Sequence, residues 1–540
     1  MNVAELVGEV LARLGVGTAF GVVGSGNFHV TNALRAHGVD FVATRHECGA
    51  VVAADAFARM SGRVGVVSTH QGPGLTNAMT GIAEAAKSRT PLIVLTGDTP
   101  RADVLSNFRI DQDALVRSVG AVSERVHGPR TAVADTVRAY RTALHQRRTV
   151  VLNLPLDVQA MDAPHPGDLR PIEPASVVRP HADAVARLAE LLDGAAQPVF
   201  IAGRGARSAA EPIRALAARC GALLATSAVA NGLCHDDPWS LGISGGFSSP
   251  LAAELIQAAD LVVGWGCVLN NWTTRHGTLI GATARIAQVD IDPAALGAFR
   301  QIDLAVLGDA GTTASDVLPA VRAQAGYRTE EVKARIAERG RWSARDYQDI
   351  GTATTIDPRT LSARLDELLP ADRVVSVDSG NFMGYPSAYL SVPDEYGFCF
   401  TQAFQSIGLG LATAIGAAAA QPDRLPVAAL GDGGFHMGVA DLETVVRLRL
   451  PMVVIVYNDA AYGAEVHHFD GDMTTVRFPD TDIAAIARGF GATGVTVRGE
   501  DDLTQVKDWL AGARDTPLVI DAKIADDGGS WWLAEAFRAH

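Results

Sequence analysis

Two short stretches of this sequence place acidic residues where a metal ion and a diphosphate could be held. Gly431-Asp432-Gly433-Gly434 follows an apolar run, Val427–Leu430, and Asn458-Asp459 follows another, Met452–Tyr457. Asp432 and Asp459 are 27 positions apart, with an amphipathic helix pattern between them. A strand–helix–strand unit sets the carboxyl ends of two parallel strands side by side. Mg²⁺ is a hard cation that commonly takes one or two carboxylates plus phosphate oxygens. Glycines around Asp432 let backbone N–H groups approach a phosphate with no Cβ in the way. The spacing predicts a metal–diphosphate site and therefore an enzyme.

Other residues offer proton chemistry. Glu47, in Arg45-His46-Glu47-Cys48-Gly49, stands where a strand pattern meets a helix pattern. In isolation it reads as a first-turn glutamate stabilised by the helix dipole. Ser25 lies in Gly24-Ser25-Gly26 and His70 in Thr69-His70-Gln71-Gly72-Pro73-Gly74, both after strand-like runs. A turn histidine is commonly structural, but a pKa of about 6.5 also suits proton transfer. Glu465 follows Asp459 on a short helical stretch and reads equally as a surface or an active-site carboxyl.

The elements that must position these residues alternate. Apolar runs at Ala19–Val23, Phe41–Thr44, Gly65–Thr69, Leu92–Thr96 and Thr149–Leu154 are separated by helical patterns such as Gly49–Met60 and Leu75–Lys87. Such alternation predicts an α/β fold of doubly wound parallel sheets. A second block has strand patterns at Pro198–Ala202, Ala222–Thr226, Leu261–Gly264 and Ala287–Asp290. A third has them at Val374–Val377, Pro426–Leu430, Met452–Tyr457 and Leu518–Ile520. The expected domains are 1–161, 185–325 and 355–525, with a tail 526–540 whose Trp531-Trp532 pair could act as a lid. A Pro- and charge-rich linker spans Asp162–Ala184. The first and third blocks share a layout that suggests internal duplication.

Composition narrows the function. The chain has 540 residues, 48% hydrophobic and 20% charged, with a formal net charge of −14. An acidic balance argues against a nucleic-acid partner. No long uninterrupted apolar run suggests a membrane span, and the N-terminal segment does not read as a signal peptide. Five scattered cysteines without ligand spacing argue for a reduced, cytoplasmic protein without zinc or disulfides. Ala202-Gly203-Arg204-Gly205-Ala206 falls short of a dinucleotide fingerprint, and no basic cluster for nucleotide phosphates stands out.

Gly431-Asp432-Gly433-Gly434 with Asn458-Asp459 resembles the thiamin-diphosphate motif of the pyruvate decarboxylase/acetolactate synthase family, in which GDG is followed downstream by a pair usually written NN. The resemblance spans all three blocks and implies three domains: pyrimidine-binding, central and diphosphate-binding. It implies thiamin diphosphate and Mg²⁺, with Asp432, Asp459 and the carbonyl of Ala461 as metal ligands and Asn458 in support. Aspartate at 459, where the family usually has asparagine, adds a negative charge. Glu47 matches the glutamate set against the pyrimidine ring, where an apolar cleft would keep it protonated. Ile407 matches the bulky residue beneath the cofactor, with the Gly408 carbonyl as a nearby acceptor. Gly380 and Asn381 match a diphosphate-contacting turn, completed by Gly431, Gly433, Gly434, Tyr462 and Gly463.

Ser25, Glu47 and His70 together are similar to the benzoylformate decarboxylase and benzaldehyde lyase subset, although Asn271 stands where that subset has a second histidine, with His276 a few residues on. Glu465 matches an active-site glutamate of the pyruvate decarboxylases. The flavin-associated run of acetolactate synthases is replaced here by Gly264-Trp265-Gly266-Cys267-Val268-Leu269-Asn270-Asn271, so FAD is not expected. The implied activity is a C–C lyase/carboligase on a 2-oxo acid or aldehyde, with loss of CO₂ followed by aldehyde release or hydroxyketone formation. Acetolactate-synthase-type condensation is the alternative; a 2-hydroxyacyl-CoA lyase and a non-catalytic paralogue rank lower. The family also implies a homodimer or homotetramer with sites between subunits.

Overall fold

The structure is a computed structural model that describes residues 1–170, 172 and 175–536; Pro171, Glu173 and Pro174 of the expected linker and the last four residues of the expected tail lie outside the described residues. Among the described residues, eighteen strands form three six-stranded parallel sheets. The first contains β1 (Thr18–Gly21), β2 (Asp40–Ala43), β3 (Gly65–Thr69), β4 (Leu92–Asp98), β5 (Val122–Arg125) and β6 (Thr149–Pro155). The second contains β7 (Pro198–Ala202), β8 (Leu223–Thr226), β9 (Ser240–Ile243), β10 (Leu261–Trp265), β11 (Arg285–Asp290) and β12 (Leu304–Leu307). The third contains β13 (Arg373–Val377), β14 (Phe398–Phe400), β15 (Leu425–Gly431), β16 (Val453–Asn458), β17 (Thr493–Val497) and β18 (Leu518–Lys523).

The first sheet runs β2-β1-β3-β4-β6-β5 and the third β14-β13-β15-β16-β18-β17, which is the same order in each block. The duplication suggested by the sequence is thus a repeated topology. The middle sheet runs β12-β11-β10-β7-β8-β9, with its order reversing between β7 and β10. Strands β3, β4, β6, β13 and β16 are buried at every residue, as continuous apolar runs covered on both faces require. Five strands have no counterpart in the sequence reading: β5, β9, β12, β14 and β17. All five lie at sheet edges.

The first and third blocks are joined within the chain by helix Glu47–Ser61 packed on helix Gly410–Ala420. The former starts with the His46 ring accepting the Cys48 N–H and ends at Gly62 in the left-handed region. Close approach demands small residues: a Cβ at Gly416 would lie 1.9 Å from the Ala53 carbonyl oxygen. Phe57, Leu411, Ile415 and Leu430 share one buried core across this seam, each contributing roughly 1.5–3 kcal/mol by leaving water.

Candidate active site

Register places the two predicted acids together. In the β15–β16 ladder Gly431 is level with Tyr457, so the strands release Asp432 and Asn458-Asp459 at the same edge. The carboxyl groups of Asp432 and Asp459 adjoin and interact directly. Burial raises both pKa values, and the charge of Asp432 raises that of Asp459 further. Asn458 faces elsewhere: its Nδ2 donates to Asp521 at 2.8 Å and its Oδ1 accepts the Ala460 N–H at 3.1 Å. Gly463 lacks a side chain for a local reason, since a Cβ there would lie 2.3 Å from Asp459 Oδ2. Two adjoining buried carboxyls beside a cradle that tolerates no Cβ form an oxygen donor set that fits a hard divalent cation.

A cavity of about 1920 Å³ opens over this edge, lined by Gly380, Asn381, Ile407, Gly431, Asp432, Gly433, Gly434, Asp459, Ala461, Tyr462, Gly463 and Glu465. Gly408 adjoins it, and Asn271 and His276 reach it from the middle block. Asn381 is buried and accepts both the N–H and the hydroxyl of Ser530 at its Oδ1, 3.3 and 2.8 Å. That leaves its NH₂ as the donor end. The described part of the tail is therefore docked. Trp532 is fully buried against Phe247 and Tyr385, Tyr385 bonds Asp527, and His276 Nε2 meets the Glu535 carbonyl at 3.0 Å.

Ser25, Glu47 and His70 gather elsewhere and do not line the cavity. His70 Nδ1 accepts the Gly26 N–H at 3.1 Å, which puts the ring proton of the neutral form on Nε2. Burial lowers the His70 pKa against the opposing pull of Glu47. Glu47 is half-buried, and its Oε2 accepts Asn77 Nδ2 at 3.0 Å. The apolar cleft expected around Glu47 is thus not completed by its own chain. Ser25 is exposed, and the rim around it and His70 carries Val23, Phe28 and Phe108, with Phe108 edge-on to His70.

Three positioning groups escaped the sequence reading. Asn77 follows the same glycine turn as His70, and that proximity was the available signal. Asp378 directly follows β13, and Ser530 sits in the tail; their partners are distant in sequence. Asp378 is fully buried, its pKa pushed up to about 6 by burial. The absence of a basic cluster is also corrected. Between the first and middle blocks the cavity is walled by Lys87, Arg89, Arg147, Arg148, Arg204 and Arg207, assembled from separate segments. Burial, with Arg59 and Arg207 nearby, pushes Arg204 down to about 9.

Comparison with known proteins places the three blocks in one family. Residues 1–116 match the family model "Thiamine pyrophosphate enzyme, N-terminal TPP binding domain". Residues 185–317 match its central domain and 378–522 its C-terminal TPP binding domain. The chain belongs to the family of thiamine pyrophosphate (thiamin diphosphate) enzymes. A probable 2-ketoarginine decarboxylase of Pseudomonas aeruginosa is 30% identical, over 95% of this chain and 92% of that protein. A sulfoacetaldehyde acetyltransferase of Rhodobacter capsulatus is 29% identical, over 100% and 96%. The large subunit of acetolactate synthase isozyme 2 of Escherichia coli is 27% identical, over 99% and 97%.

Proposed function

We propose that this protein is a Mg²⁺-dependent thiamin-diphosphate enzyme that cleaves or forms the C–C bond beside the carbonyl of a 2-oxo acid, as a cytoplasmic homodimer or homotetramer. The observation carrying this reading is the pair of touching carboxyls, Asp432 and Asp459, at the edge of the glycine-cradled cavity. Asp432, Asp459 and the Ala461 carbonyl would hold the metal. Gly380, Asn381, Gly431, Gly433, Gly434, Tyr462 and Gly463 would cradle the diphosphate, with Ile407 beneath the cofactor and the Gly408 carbonyl as an acceptor. Bound there, thiamin diphosphate supplies the carbon nucleophile and the electron sink.

The chain's own groups then bind, orient and move protons. Glu47 would hold and share a proton with a ring nitrogen of the cofactor. His70, neutral with its proton on Nε2, would donate a hydrogen bond to the substrate beside the reacting carbon, and Ser25 would orient the substrate carboxylate. Glu465 serves as a second proton carrier on the opposite wall, and the docked tail excludes water. Since Ser25, Glu47 and His70 lie outside the chain's own cavity, a second copy is needed to bring them over Ile407. The exposed apolar rim around them supports such a contact. A panel of 2-oxo acids with cofactor and Mg²⁺, read by CO₂ release and by aldehyde or hydroxyketone products, tests the reaction. Cofactor binding without turnover on any of them would sink it.

One observation favours a second reading, a 2-hydroxyacyl-CoA lyase. The cations walling the far arm of the cavity offer a place for nucleotide phosphates. Cleavage of a 2-hydroxyacyl-CoA, with the free 2-oxo acids inert, would decide for it.

A further inference from the structure

We propose that Glu84, paired with Arg59, positions the loop that would carry the cofactor, so that each chain's N-terminal block shapes the diphosphate half-site of that same chain. The inference rests on the reading above for what the loop holds; the clamp itself is a matter of geometry.

Residues 401–409 run from β14 to helix Gly410–Ala420 without regular structure and include Ile407 and Gly408. Their backbone N–H groups must find partners outside a helix or sheet. Two fully buried carboxylates accept four of them. Glu84 takes the N–H of Ala403 at 3.0 Å on Oε1 and that of Phe404 at 2.6 Å on Oε2. Asp378 takes Gly408 at 2.9 Å and Leu409 at 3.3 Å. Gln405, between the anchors, is held at φ +62°, and the anchored Gly408 at φ +84°. A left-handed non-glycine residue costs roughly 1–2 kcal/mol and persists where its surroundings impose it.

Glu84 is unusual in its own element. It lies in helix Pro73–Lys87 of the first block, fully buried, and the loop it holds belongs to the third. Arg59 balances its charge at 2.8 Å while bonding Asp55 and donating to the Phe400 carbonyl at 3.0 Å. Phe400 ends β14, so the Arg59–Glu84 pair grips both the strand end and the loop that leaves it. Burial would raise the Glu84 pKa, but Arg59 and the two N–H groups outweigh it and hold the carboxylate ionised. The two acids thus suspend Ile407 and Gly408 from opposite sides.

Glu84→Gln keeps the shape but turns an NH₂ toward a backbone N–H and leaves Arg59 with one partner fewer. The variant should bind thiamin diphosphate, titrated with Mg²⁺ by calorimetry, roughly tenfold or more weakly. Its amides at 403–409 should exchange hydrogen faster than wild type in the cofactor-free protein, and Glu84→Asp should restore part of both. Asp135→Asn, which breaks a buried ion-pair site in the same block away from the loop, controls for general destabilisation. Wild-type exchange at 403–409 in Glu84→Gln would overturn the clamp, as would an affinity loss no greater than that of Asp135→Asn. If Glu84→Gln does not fold, the same two measurements on Glu84→Asp decide. Failure of the wild-type chain to bind the cofactor would instead refute the site reading, leaving the exchange result to judge the clamp.

Discussion

Asp459 and Asp432 touch through their carboxyl groups, and burial makes it costly to ionise both without a cation between them. Aspartate at 459 therefore favours a divalent metal and burdens the metal-free protein. Asp459→Asn should raise the thermal midpoint of the metal-free protein and weaken Mg²⁺ binding about tenfold, or about 1.4 kcal/mol; calorimetry of both states checks this. Glu47→Gln should lower turnover by about 10²–10⁴-fold while leaving cofactor affinity nearly unchanged, which kinetics and direct titration would separate. His70 titrates below its ordinary value. A depressed base favours the neutral ring in the folded protein, so its contribution to stability is present above the unfolded pKa, about 6.5, and is lost as pH falls. Activity needing neutral His70 should decline only on the acid side of that value, and His70→Ala should abolish that acid limb of the pH–rate profile.

At the scale of elements, the tail is a packed strap. Trp532 is fully buried between Phe247 of the middle block and Tyr385 of the third, and Ser530 holds the Asn381 carbonyl end. Trp532→Ala should cost about 3–5 kcal/mol in the unfolding of the blocks it joins, measured by denaturant titration. It should also weaken cofactor binding through Asn381. The central strands were legible because parallel strands covered on both faces need unbroken apolar runs. The missed strands are edges, with one side unpaired and a mixed pattern: β5 reads Val122-Ser123-Glu124-Arg125, every residue only half-buried, and β12 alternates buried and exposed residues. Three-residue β14 is buried but too short to announce itself.

For the whole molecule, Glu47 lies away from the cavity that Asp432 and Asp459 line, and the proposed function needs them in one site. If two copies join them reciprocally, mixing Glu47→Gln with Asp432→Asn chains should restore about a quarter of wild-type activity after random reassortment. Half the dimers would then hold one intact site of two. No recovery would place Glu47 and Asp432 in the same chain's site. Among the described residues, no helix is long and apolar enough to cross a membrane. The far arm of the cavity also belongs to this scale, because its cations come from both the first and the middle blocks.

The sequence alone determined what depends on local order: the glycine–acid turns after central strands, the three-block alternation and the family motif. Covalent neighbours and a strand's own composition suffice for those. The tertiary structure decided what depends on distant partners. It set Asn77 against Glu47, Ser530 on Asn381, and Glu84 and Asp378 on one loop. A buried carboxylate looks the same in sequence whether it meets a metal, a guanidinium or a row of backbone N–H groups. Only packing brings its partner within hydrogen-bond reach, and that partner decides its role.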